Sequence, residues 1–180
     1  ELFESLRKRK RNIQLVLVGS GEKEYQNKFL KKIHSWMESG DIIYFEKASQ
    51  KELALIYQRS DMFVFTSNYE IFGMVLLESM FFGLPVISSM NGGASVLIQD
   101  GVNGYIMDGF NIEKWVEKIM LLVKDQGQCA EMGKKAHETI EKYFLWERLA
   151  DQFLNAYDEA KKQYDFFQQE KERLGKEKKN

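Results

Sequence analysis

Apolar residues along this chain follow two alternating rhythms. The short runs Ile13–Val18, Ile42–Phe45, Met62–Phe65, Pro85–Ser88 and Gly104–Met107 are mostly apolar, rich in β-branched and aromatic residues, and show little period-two alternation. That is the pattern of strands covered on both faces. Leu2–Lys10, Tyr25–Glu38, Gln50–Gln58, Gly73–Phe82, Asn111–Val123, Ala130–Tyr143 and Leu145 onward carry their apolar positions at helical spacing instead. Gly83-Leu84-Pro85 stops the fourth of these helices and starts a strand. Strand and helix alternate from end to end, which predicts an α/β fold: a doubly wound parallel sheet with helices on both faces. Ligands of such a sheet sit beyond the carboxyl ends of its strands. Those ends carry Gly19–Gly21, Glu46–Ala48, Thr66–Phe72 and Ser89–Gly93, so glycines and carboxylates are expected along one rim.

Composition narrows the function classes. The chain has 180 residues, 44% of them hydrophobic, which suits one domain with a sizeable core. Its 26 basic and 27 acidic side chains nearly cancel, whereas an electrostatic nucleic-acid binder is strongly basic. No apolar run approaches the roughly 18 residues of a bilayer span, and no segment reads as a signal peptide. Cys129 is the only cysteine, so no internal disulfide and no Cys-based metal site is expected. It reads as an inert, semi-buried helix thiol in a reducing compartment.

The chemistry concentrates between Ser67 and Ser88. Glu70 and Glu78 stand eight residues apart around Phe72-Gly73. Glu70 falls in the loop before the helix and Glu78 inside it, and a little over two helical turns puts them roughly on one side. Backbone N–H groups near Phe72–Val75 then point between the acids, which suits an anion such as a phosphate. Read plainly, Glu70 is a loop acid favoured by the helix dipole. Glu78 is harder to explain, because Val75, Leu76, Leu77, Met80, Phe81 and Phe82 surround it and an unpaired charge there is costly. A ligand hydroxyl, backbone amides or a basic partner is expected to offset that cost.

Other candidates are weaker. Gly19-Ser20-Gly21 follows a strand, but Glu24 stands where a dinucleotide fingerprint needs its third glycine. The turn reads as one that lets backbone approach a phosphate or ribose. No Asp-x-Asp occurs, and His34 and His137 lie far apart on helices as satisfied surface residues, so no metal is expected. Met62, Met74, Met80, Met107 and Met120 read as core filler. No serine or cysteine nucleophile sits beside a candidate base. The basic run Arg7–Arg11 ends a helix, where cations are favourable. Residues 1–160 form the predicted domain. The tail 161–180, with seven basic and four acidic side chains, reads as a solvated, partly frayed helix with a membrane-surface or partner role as the alternative.

In order along the chain, these segments resemble the GT4 family of retaining glycosyltransferases with the GT-B fold. Glu70 and Glu78 match its E-x7-E signature. Leu15–Gly21 (LVLVGSG) matches a strand and glycine turn, and Ile42–Phe45 with Ser49–Tyr57 matches the next strand and helix. Asn91-Gly92-Gly93 and Asp100–Gly104 fit downstream loops, Tyr143–Tyr157 fits closing helices, and the match covers roughly residues 12–160. The resemblance implies a Rossmann-like C-terminal half of a GT-B fold. The whole enzyme would move a sugar from a nucleotide-diphosphate-sugar donor to a hydroxyl acceptor with retained configuration, in surface polysaccharide or glycolipid synthesis.

Carried over by position, the resemblance makes Glu70 the catalytic candidate, touching donor-sugar hydroxyls, while Glu78 grips the ribose. Phe72, Gly73, Met74 and Val75 offer N–H groups to sugar and pyrophosphate. Gly19, Ser20 and Gly21 approach the donor, and Phe45 and Lys47 border the base. It implies neither metal nor cofactor and needs no enzyme nucleophile. Thr66 departs from the proline common in that loop, which changes stiffness and removes no functional group. The family places a strand, a basic loop with an Arg and a Lys, and an acceptor-binding domain ahead of Leu2. This chain therefore reads as the donor-binding domain, inactive alone, of a cytoplasmic protein whose full form works at the inner membrane face. A nucleotide-sugar isomerase of the UDP-N-acetylglucosamine 2-epimerase kind, and a non-catalytic nucleotide-binding domain, are the alternatives.

Overall fold

A computed structural model describes residues 1–109 and 111–177. The order is α1 (Leu2–Arg9), β1 (Leu15–Val18), α2 (Lys23–Glu38), β2 (Ile42–Phe45), α3 (Gln50–Gln58), β3 (Phe63–Phe65) and α4 (Met74–Phe81). There follow β4 (Val86–Ser89), α5 (Gly92–Leu97), β5 (Gly104–Met107), α6 (Ile112–Lys124), α7 (Gln126–Tyr143) and α8 (Trp146–Glu177). The chain divides into two compact units, Glu1–Thr139 and Ile140–Asn180.

Every strand pair described is parallel, as helical crossovers require. Leu15 faces Ile42 in a β1–β2 ladder, while Phe63, Val86 and Gly104 align across a β3–β4–β5 ladder. The sheet is thus two ladders rather than the single one expected. Apolar runs identify strands by the burial they need, but a run does not encode which strand lies beside it. β4 is buried at every residue, in keeping with its place between two partners.

The core gathers around α6. Trp115, Val116, Ile119, Met120 and Leu122 pack with Leu6, Ile87, Tyr105, Met107, Cys129 and Met132. The Trp115 indole N–H donates to the Gly109 carbonyl at 3.3 Å, so the largest core side chain brings its own polar partner. Arg7, part of the basic run, is fixed structurally: its guanidinium pairs with Asp41 at 2.8 Å and donates to the Ile13 carbonyl at 3.2 Å.

Two helices differ from expectation. α7 begins at Gln126, ahead of the predicted Ala130, where the Asp125 carboxylate accepts the Gln128 N–H at 2.9 Å. The resemblance puts Asn91-Gly92-Gly93 in a loop, whereas α5 begins at Gly92 despite the low helix propensity of adjacent glycines. Asn91 starts it by accepting the Ala94 N–H at 2.9 Å. In the C-terminal unit α8 is one continuous helix with Trp146, Phe153, Tyr157, Tyr164 and Phe167 exposed at helical spacing. The predicted tail is helical through Glu177; Lys178 and Lys179 lie outside the described residues. Among the described residues no helix is long and apolar enough to cross a membrane.

Candidate functional site

Gly73 turns the chain from loop into helix. Its φ of +74° lies in the left-handed region, so α4 begins at Met74 with Gly73 as its cap. The Leu76 N–H returns to the Gly73 carbonyl at 2.8 Å. The amides of Met74 and Val75 are in the first turn, where a helix supplies no acceptor. Met74 is exposed rather than the core filler expected, since it stands on the solvent side of that turn. Glu70 and Phe72 are half-buried in the preceding loop. One Glu70 carboxylate oxygen accepts the Ile71 N–H at 3.1 Å.

The loop is clamped from the β4 side. Gly92 donates its N–H to the Glu70 carbonyl at 2.9 Å. A Cβ on Gly93 would lie 2.0 Å from the Phe72 carbonyl oxygen, and one on Gly92 2.5 Å from that of Ile71. Both positions therefore require glycine through close approach alone. Asn91 is buried and donates from Nδ2 to the Ser67 and Ser89 carbonyls at 2.9 and 3.1 Å. The Ser89 hydroxyl adds a bond to the Ser67 carbonyl at 2.7 Å. Sequence reasoning saw Asn91-Gly92-Gly93 as a downstream loop and missed that it holds the Glu70 loop. The signal was there: paired glycines a few residues beyond a strand end mark a close backbone approach.

Glu78 sits half-buried on α4, and Oε2 accepts the Tyr57 hydroxyl at 3.3 Å. A neutral donor thus stands where a ligand hydroxyl, an amide or a basic group was expected. Tyr57 is 6% exposed, stacks on Phe82 at 5.5 Å and meets Phe63 edge-on at 6.0 Å. Burial, then the Glu78 charge, push the Tyr57 hydroxyl far above its usual range, so it stays protonated.

The glycine turn forms a second group. Gly19, with φ of +142°, donates its N–H to the Phe45 carbonyl at 3.0 Å. Its own carbonyl accepts the Tyr44 hydroxyl at 2.8 Å, which in turn accepts the Gln26 amide at 2.8 Å. Gly19, Ser20, Gly21, Phe45 and Lys47 are all exposed. Hydrogen bonds bring Gly19 to Phe45, and a single loop and helix bring Glu70, Phe72, Gly73, Met74, Val75 and Glu78 together. Each group lies at the carboxyl ends of parallel strands.

The remaining candidates fall into structural roles. His34 lies 3.4 Å from Glu38, and His137 meets the Phe81 carbonyl through Nδ1. Cys129 is buried, its thiol donating to the Asp61 carbonyl at 3.4 Å, and burial with the nearby Asp61 charge raises its pKa. Among the described residues no three His, Cys, Asp or Glu side chains are grouped to hold a metal ion. A hollow of about 380 Å³ on α2, lined by Asn27, Leu30, Lys31, His34 and Met37, includes none of the expected site residues.

The family model described as glycosyl transferases group 1 matches residues 1–139. Spore coat protein SA of Bacillus subtilis (strain 168) is 30% identical over 154 residues, covering 82% of this chain and 41% of that protein. D-inositol 3-phosphate glycosyltransferase of Rhodococcus jostii (strain RHA1) is 33% identical over 111 residues, covering 62% of this chain and 24% of that protein. HepE of Anabaena, solved with UDP-glucose, superposes with a TM-score of 0.76 at 22% identity, covering 88% of this chain and 44% of that one. The last likeness is one of fold. This chain spans 41% and 24% of the two curated relatives' lengths. With most of its length matched by the family model, the chain belongs to the group 1 glycosyl transferases.

Proposed function

We propose that this chain binds the nucleotide-diphosphate-sugar donor of a retaining glycosyltransferase. The observation that carries the reading is the clamped loop and helix start, with Glu70 before the first-turn amides of α4 and Glu78 after them. HepE, of the same fold, was solved with UDP-glucose, which supports a donor of that class. Charge builds on the diphosphate as it departs, and the Met74 and Val75 amides with the α4 dipole stabilise it there. Glu70 orients the sugar through its hydroxyls, and Glu78 takes the ribose. Catalysis then rests on positioning and electrostatics rather than on an enzyme nucleophile.

The finer reading follows the same chemistry. The acceptor is a hydroxyl on a surface polysaccharide or glycolipid precursor, transfer retains configuration, no metal is needed, and the full protein works at the cytoplasmic face of a membrane. Alone, this chain binds donor and does not transfer it. A thermal-shift series with UDP, GDP and ADP tests the core claim, since a ligand at 100 times its Kd raises stability by about 2.7 kcal/mol. No shift with any diphosphate at millimolar concentration would sink it. Release of nucleotide from a panel of nucleotide sugars by the full-length protein, with and without EDTA, tests turnover and metal independence. Sugar transfer by residues 1–180 alone would contradict the claim of binding without transfer.

A further inference from the structure

Among the described residues the Tyr57 hydroxyl is the hydrogen-bond donor to the Glu78 carboxylate, and its geometry is that of a fixed donor. The ring is locked between Phe82 and Phe63. Its hydroxyl lies on the ring axis, so ring rotation leaves that oxygen in place. The hydroxyl reaches Oε2, leaving Oε1 without a protein partner among the described residues. At 3.3 Å the contact is longer than a usual hydroxyl–carboxylate bond, and it is made by a neutral group rather than a cation. A lysine there would form an ion pair and compete with ligand hydroxyls; a neutral hydroxyl does not.

We propose that Tyr57 is a positioning residue for donor binding: it holds the Glu78 carboxylate with one oxygen turned toward the ribose hydroxyls. The inference rests on the reading of Glu78 as the ribose contact and adds the group that aims it. Burial, with the Glu78 charge beside it, holds the phenol in its protonated, donating form. Tyr57 acts only through Glu78. Its loss therefore matters for ligands with ribose hydroxyls and is silent for ligands without them.

The experiment is calorimetry on the full-length protein with UDP, GDP and ADP, each beside its 2′,3′-dideoxy analogue. Tyr57→Phe keeps the ring and removes one oxygen, and an unchanged melting curve confirms the fold. The expected result is a loss of about 2- to 10-fold in affinity for the ribose diphosphate that binds, with its dideoxy analogue unaffected. Glu78→Gln should produce a larger loss, and adding Tyr57→Phe to it should produce no further one. Equal losses for both ligands, or a full Tyr57→Phe effect in the Glu78→Gln background, overturn the proposal in favour of a packing role. Glu78→Gln weakening binding while Tyr57→Phe does nothing overturns the positioning role alone. Glu78→Gln leaving ribose diphosphate binding intact overturns the ribose reading and this inference with it.

Discussion

Glu70 stands in the loop before α4 and Glu78 inside its apolar run, and the two carboxylates are proposed to do different things. On the proposed reading Glu78 takes the ribose, a part shared by all nucleotides, so Glu78→Gln should weaken free diphosphate binding. Losing one charged hydrogen bond costs roughly 1.5–3 kcal/mol, or about 10- to 150-fold in affinity. Glu70→Gln should leave that binding nearly intact and lower sugar transfer in the full-length protein. The opposite pattern in calorimetry and turnover would reverse the two roles. The placement of both acids, Glu70 before α4 and Glu78 within it, was legible in the sequence, because it depends on local spacing. Tyr57 was not, because a contact between α3 and α4 is a tertiary fact. A second residue-scale test concerns Glu52, whose carboxyl is held below its usual pKa by the Ser49 backbone N–H first and the Ser49 hydroxyl second. A depressed folded pKa means this capping contribution is whole above the unfolded carboxylate value and fades as pH falls through the lower folded one. Ser49→Ala keeps the backbone donor, so an NMR titration should show Glu52 moving only part of the way back up.

Elements with strong periodicity could be placed to within a few residues, and α3 carries a full capping box at Ser49 and Glu52. Elements held by their neighbours could not. α5 has two glycines in its first turn, yet it forms because Gly92 and Gly93 let it press on the backbone of the Glu70 loop. Gly93→Ala should therefore cost about 1–3 kcal/mol or more, since a carbonyl oxygen cannot yield like a flexible side chain. Its melting temperature should drop and its diphosphate affinity should fall with it, as the Glu70 loop shifts. Gly21→Ala supplies the contrast, because nothing lies within 4 Å of a Cβ there. Its melting temperature should match the parent's while donor binding weakens, if the turn approaches the ligand closely. Equal stability losses at the two positions would refute the clamp.

At the scale of the molecule, the alternation of strand and helix was legible and the division into two ladders was not, since pairing depends on which runs meet. The core centred on Trp115, fully buried, makes a direct stability test: Trp115→Ala should cost about 3–5 kcal/mol by denaturant unfolding. The parallel ladders also govern time. Leu15 must find Ile42, and Phe63 must find Val86, each across an intervening helix. Chain entropy is lost closing those loops before any ladder bond rewards it. A helical turn, by contrast, closes on a neighbour four residues away in sequence. In a stopped-flow refolding experiment, helix signal should therefore rise well before the burial of Trp115, and the newly made chain should pass through an interval in which its helices exist and its candidate site does not.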